Sequence, residues 1–134
     1  RLVGRIGMRR LSQGALLLFL AISLLWFFLS ITVGIPLVLF IIIFASAMVP
    51  FAMLGSNFNA LAMEPLGNLA GTASAFLGFM QTFFGGILGT IIGQAYDGTV
   101  TPLAAGFCLV SMAALAVILI AERGRLFQPH NLPV

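Results

Sequence analysis

Three carboxylates (Glu64, Asp97 and Glu122), one imidazole (His130) and one thiol (Cys108) are the side chains in this 134-residue chain that could serve as acid, base, nucleophile or metal ligand. Their spacing does not assemble them. Each acid sits at the border of a different apolar stretch, and His130 lies in a polar tail between Pro129 and Pro133. Cys108 stands alone inside an apolar run, so the chain offers neither an intrachain disulfide nor a cysteine-based metal site. No nucleophile has a base at helical spacing, and no glycine loop is built for phosphate. The expectation is a protein that is not an enzyme and holds no metal or organic cofactor. Proton relays through membranes use ionisable groups embedded in the spans, and no acid, histidine or lysine falls inside an apolar stretch here.

What remains is uncharged. Ser46, Gln81, Thr82, Thr90, Gln94 and Ser111 interrupt the apolar stretches, and Asn57 and Asn59 follow the second of them. Gln81 matters most, because a primary amide near the middle of a helix in lipid needs a partner or a ligand. A hydrogen bond to another helix is the simplest partner. Phe40, Phe44, Met48 and Phe51 recur at helical spacing, with Ser46 and Pro50 close by. Such a stripe suits an adaptable aromatic pocket for apolar ligands, although plain packing uses the same spacing. Phe44, Met48, Phe51 and Gln81 are the candidate cavity residues.

The elements that must carry these residues follow from composition. The chain is 61% hydrophobic and 7% charged, with a mean hydropathy of +1.19. A soluble domain of this size cannot bury so much apolar surface, so the solvent must be lipid. Charges divide the chain into four stretches, each long enough for one crossing of about 30 Å: 11–31, 35–54, 71–95 and 103–121. Because lipid offers no partners to backbone N–H and C=O groups, a span is a helix or part of a closed barrel. Runs such as Phe40-Ile41-Ile42-Ile43-Phe44 lack the alternation of a barrel strand. The fold class is therefore an all-α membrane protein with four transmembrane helices.

Four of the six arginines lie in residues 1–10, and the other two, Arg123 and Arg125, follow the last span. An even number of spans puts both clusters on one side, which the positive-inside bias makes the cytoplasm. Residues 1–10 are then a cytoplasmic loop, 55–70 a cytoplasmic connection and 122–134 a cytoplasmic tail. The net charge of +3 is accounted for at these membrane ends, and with no basic face interleaved with aromatics, nucleic acid is not an expected partner. Pro36 should open the second helix and Pro102, after Thr101, the fourth, whereas Pro50 falls inside the second and should kink it. Trp26 would mark the headgroup level or pack on another helix.

In the third span Gly71, Ala75, Gly78, Thr82, Gly85, Gly89 and Gly93 recur in steps of three or four. That pattern keeps small residues on one face, where helices approach closely in lipid. Packing within one bundle, a homodimer face and a sliding surface between two halves of a transporter all use such a seam. The first span reads as mostly lipid-facing apart from the stripe Ser12, Ala15, Ser23, Trp26 and Ser30.

The opening Arg1-Leu2-Val3-Gly4-Arg5-Ile6-Gly7-Met8-Arg9-Arg10 resembles the cytoplasmic loop motif of the major facilitator superfamily, roughly G-x-L-A-D-R-x-G-R-R. Arg5, Gly7 and Arg9 match, while Gly4 takes the acidic position and Met8 one that is commonly basic. Arg1 and Arg10 complete the basic loop. The run Pro65-Leu66-Gly67-Asn68-Leu69-Ala70-Gly71-Thr72-Ala73-Ser74-Ala75-Phe76-Leu77-Gly78 is similar to the tenth-to-eleventh helix region of that superfamily's Bcr/CflA drug-resistance branch. Gln81-Thr82-Phe83-Phe84-Gly85-Gly86 resembles its Gly-Pro-x-x-Gly-Gly antiporter motif at Gly85 and Gly86 alone.

The resemblance spans nearly the whole chain, and it implies the C-terminal part, helices nine to twelve, of a twelve-helix major facilitator fold in the bacterial inner membrane. On that reading the second helix faces the substrate cavity, the third lies between the two six-helix halves, and the first and last are the outer pair. The function implied is export of small apolar drugs in exchange for protons by alternating access, with the proton gradient as the coupling source. The implied partners are the lipid bilayer, the remaining N-terminal helices of the same protein and the drug substrates. Two other classes fit the composition: a self-contained four-helix oligomeric transporter, and a structural membrane subunit that does not transport.

Overall fold

A computed structural model of the chain describes residues 8–63 and 69–121, with Met8 and Arg9 described for their backbone only. Four α-helices account for almost all of them: α1 Met8–Thr32, α2 Leu37–Met63, α3 Ala70–Gln94 and α4 Thr101–Ala121. At about 1.5 Å per residue each exceeds 30 Å, and all four are long and apolar enough to cross a membrane. Large apolar side chains remain exposed along them, Phe28, Ile42, Phe79 and Val117 each by more than half. In water that surface would be costly; in lipid it is the ordinary exterior.

Several hydroxyls in the helices are satisfied by a carbonyl of their own helix, as suits a lipid surrounding. Ser23 Oγ donates to the Phe19 carbonyl at 2.8 Å, Thr82 Oγ1 to Gly78 at 2.9 Å, Thr90 Oγ1 to Gly86 at 2.8 Å and Ser111 Oγ to Cys108 at 2.9 Å. Back-bonding of this kind lets serine and threonine sit in a span without an external partner.

Helix boundaries differ from the apolar windows at two places. α1 begins at Met8, so Arg9 and Arg10 belong to the helix and not to a preceding loop. α2 runs on to Met63, so the first nine residues of the expected connection at 55–70 are helical. Ser56 explains part of this extension: its Oγ donates to Ala52 and Met53 carbonyls, both at 3.1 Å, so a polar residue here costs the helix little. Arg1, Arg5, Gly7, the rest of the basic loop before Met8, Glu64 to Asn68 and residues 122–134 lie outside the described residues.

Between α1 and α2 the chain reverses at Gly34, whose φ of +68° is strained for any residue with a Cβ. The α2 helix then takes Pro36 as its leading acceptor, through Phe40 N–H to the Pro36 carbonyl at 3.0 Å. Between α3 and α4 the reversal uses Gly98 at φ +89°. Beside it Asp97 Oδ1 accepts from Thr99 Oγ1 at 2.6 Å and Thr99 N–H at 3.0 Å, and Thr99 Oγ1 accepts from Thr101 N–H at 3.3 Å. This chain of bonds satisfies an amide at the start of α4 that no helical carbonyl can reach.

The packing is uneven. α1 lies between α2 and α4 and packs extensively on both, while α3 touches α2 and α4 over a much smaller contact and does not pack on α1. One cluster of buried apolar residues joins Ala15, Leu16, Phe19, Ala47 and Leu54; another joins Trp26, Ile43 and Ala104. All belong to α1, α2 and α4, and α3 has no buried residue.

That arrangement corrects the reading of α1 as a mostly lipid-facing helix. Ser12, Ala15, Leu16, Phe19, Ser23 and Trp26 are buried, so the small and polar stripe marks the face that meets both neighbours. Small residues and internally bonded hydroxyls permit that close approach.

Candidate functional site

Six linked rings run through the three-helix core, with Phe51 exposed at the end of the series. Trp26 is fully buried, with ring centroids of Phe40, Phe44 and Phe107 at 5.6, 6.2 and 5.6 Å. Phe107 also lies 5.7 Å from Phe19, which lies 5.8 Å from Phe51. Distances and tilts of this order suit ring quadrupoles. The Trp26 indole N–H has no hydrogen-bond partner among the described residues, and the ring is packed among apolar neighbours, Ile43 and Ala104 as well as the phenylalanines. Trp26 packs on other helices, through Phe40 and Phe44 of α2 and Phe107 of α4.

Where the core meets α3 the helices part around a half-open apolar groove of about 200 Å³, with Phe51, Leu88 and Val110 exposed along it. Phe19 of α1 and Phe51 of α2 form one side, and Gly106, Phe107 and Val110 of α4 another. The α3 wall is Gly85, Leu88, Gly89 and Ile92. All four helices therefore contribute, and none of these side chains can hydrogen-bond or ionise.

The glycines of this region do two different jobs. A Cβ placed on Gly106 would meet Ile92 Cγ1 at 2.7 Å and Cγ2 at 3.3 Å, so α3 and α4 touch there because residue 106 has no side chain. A Cβ on Gly71, Gly78, Gly85, Gly89 or Gly93 would meet nothing within 4 Å. The seam on α3, read from its spacing as a packing face, is unpacked among the described residues. Ala75 and Thr82 on the same face are exposed. Gly85 and Gly89 leave space open, and the glycine that makes a close approach is Gly106, outside the seam.

The candidate cavity residues divide. Phe51 lines the groove. Phe44 instead packs against Trp26, stacks on Phe40 at 5.8 Å and meets Phe107 at 6.2 Å. Met48 is half-buried on α2 outside the groove wall. Gln81 Nε2 donates to Asn59 Oδ1 at 3.1 Å, which ties α3 to α2. That amide has a protein partner, and it is not among the residues lining the groove. Of the basic loop only Arg10 has a described side chain, and it is exposed in the first turn of α1.

Phe19, Phe107 and Gly106 complete the groove and carried no distinguishing sequence signal, since phenylalanine and glycine occur all along these helices. Gln13 is also buried, in α1 beside Ser12. Its single polar position between Ser12 and Gly14 was the available sign. Among the described residues no group of histidine, cysteine or acidic side chains could hold a metal ion. Comparison with protein-family models, with curated proteins and with solved structures finds no match to this chain.

Proposed function

We propose that this chain is the C-terminal, four-helix part of a secondary active transporter of the major facilitator superfamily, of the Bcr/CflA type. It exports small apolar drugs in exchange for protons across the bacterial inner membrane, with both termini in the cytoplasm. The reading rests on the resemblance of residues 1–10 and 65–78 to that family, at the separation the family uses.

The observation that carries it is the state of α3. A helix of 25 residues with no buried side chain and an empty seam of small residues has packing capacity that its own chain does not use. Remaining helices of the same protein are the natural cover, and alternating access needs a smooth contact at that place. Asp97, exposed in the turn before α4, is outside the spans, so proton coupling belongs to carboxylates in other helices.

The test is drug accumulation in cells that lack their own efflux pumps and express the full-length coding sequence containing this segment. Lower accumulation that an ionophore reverses is expected. Accumulation unchanged for every apolar drug tried refutes export.

A further inference from the structure

We propose that α3 moves as a separate body against a fixed α1–α2–α4 core, pivoting on the Ile92–Gly106 contact and released when the Gln81–Asn59 hydrogen bond opens. The inference rests on the reading that other helices of the same protein cover α3. The packing divides the chain at this place. α1 packs extensively on α2 and α4, whereas α3 has much smaller contacts with α2 and α4 and does not pack on α1. The core buries Leu16, Trp26, Ala47 and Ala104, and α3 buries none of its own residues. Low contact density of this kind marks the element that opens first and most cheaply.

The ties that α3 does have differ in kind. Ile92 rests against Gly106 close to the turn, where the bonds among Asp97, Thr99 and Thr101 hold the chain. That contact needs no polar partner, so a rotation of α3 can preserve it. About three helical turns earlier, Gln81 Nε2 donates to Asn59 Oδ1 at 3.1 Å, and nearer the start of α3 Ser74 Oγ lies 3.7 Å from Met63 Sδ. Interhelical hydrogen bonds in membranes are individually weak, so these can open without disturbing the core. The groove between the ties supplies clearance: Gly85 and Gly89 have no neighbour where a Cβ would stand. Helices that cover the rest of α3 bury more of it than its own core does, and α3 follows them.

Double electron–electron resonance on the full-length protein in lipid nanodiscs, in a cysteine-free background with Cys108→Ser, tests the division. Spin labels at Val38→Cys and Val117→Cys report on the core, and labels at Val38→Cys and Phe76→Cys report on α3; all three positions are exposed. Phe79→Cys replaces Phe76→Cys if that site labels poorly. The core pair should give one narrow distance, the same at acidic and alkaline pH. The α3 pair should give two distances separated by about 5 Å, the scale of a one-turn helix shift. Gln81→Leu, or Asn59→Leu if the first variant fails to accumulate, should change the ratio of the two by about threefold at fixed pH, in keeping with one weak hydrogen bond.

A single α3 distance as narrow as that of the core pair overturns the inference, and so does a core pair that changes as much as the α3 pair. A ratio of the two α3 distances unmoved by Gln81→Leu and by Asn59→Leu overturns the part given to the hydrogen bond. Two α3 distances without drug export would remove only the export reading. Export with a single α3 distance would remove only this one.

Discussion

Ile92 on α3 rests directly against the backbone of Gly106 on α4, with Cγ1 2.7 Å from where a Cβ on residue 106 would stand. The contact is one of few between α3 and the rest of the chain, so a change at Gly106 acts on the placement of the whole helix. Gly106→Val should lower stability in detergent by about 1–3 kcal/mol, the usual cost of overpacking. Gly89→Ala, with open space at its Cβ, should stay within about 0.5 kcal/mol. Thermal melts followed by circular dichroism decide; equal losses for both variants would show that α3 packs differently.

Trp26 anchors the opposite, packed side of the molecule. Trp26→Ala should cost about 3–5 kcal/mol, because a fully buried ring touching Phe40, Phe44 and Phe107 leaves a large void. Trp26→Phe should be much milder, since it also removes a buried N–H without a partner, a burden of about 1–3 kcal/mol. Similar losses for the two variants would mean that the indole nitrogen has an acceptor.

The Gln81–Asn59 bond joins α3 to α2 at 3.1 Å. Interhelical hydrogen bonds in membranes average only about 0.6 kcal/mol in double-mutant cycles, and a cycle through Gln81→Leu and Asn59→Leu should return a coupling of that order. A coupling indistinguishable from zero would mean that the two amides do not pair in the bilayer.

The turn before α4 carries a pH dependence. Hydrogen bonds from the Thr99 hydroxyl and then the Thr99 N–H hold the Asp97 carboxyl below the ordinary carboxylate range. A depressed pKa in the folded state means that ionised Asp97 stabilises the turn at neutral pH. The contribution is complete above the unfolded-state pKa and is lost as pH falls through the lowered folded one. Carbonyl chemical shifts of Asp97 followed through an acid titration should give a midpoint that rises in Thr99→Val; an unmoved midpoint would exclude the hydroxyl as its cause.

Much of the fold was readable before any tertiary information. The charges at Arg10, Asp97 and Glu122 bracket long apolar stretches, and a stretch surrounded by lipid must satisfy its backbone hydrogen bonds locally; the four helices follow from that requirement. Gly34, Gly98 and the Pro36 and Thr101-Pro102 positions punctuate them, since each has a conformational preference of its own. The end of α2 was less legible, because Asn57 and Asn59 look like loop residues although the helix continues through them to Met63.

The candidate site was readable only in pieces. In water, hydropathy contrast separates the inner face of a helix from the outer one; in lipid both faces are apolar and the contrast vanishes. Phe19 in the groove wall and Phe28 on the exterior are the same residue type on the same helix. By itself the sequence determined the spans, the turns and the spacing of small residues along α3, because these depend on local hydrogen bonding and on periodicity. Only the tertiary structure decided that α1 lies between α2 and α4, that Gly106 makes the close approach, and that Gly85 and Gly89 border an open groove, because van der Waals contact between helices depends on which faces meet.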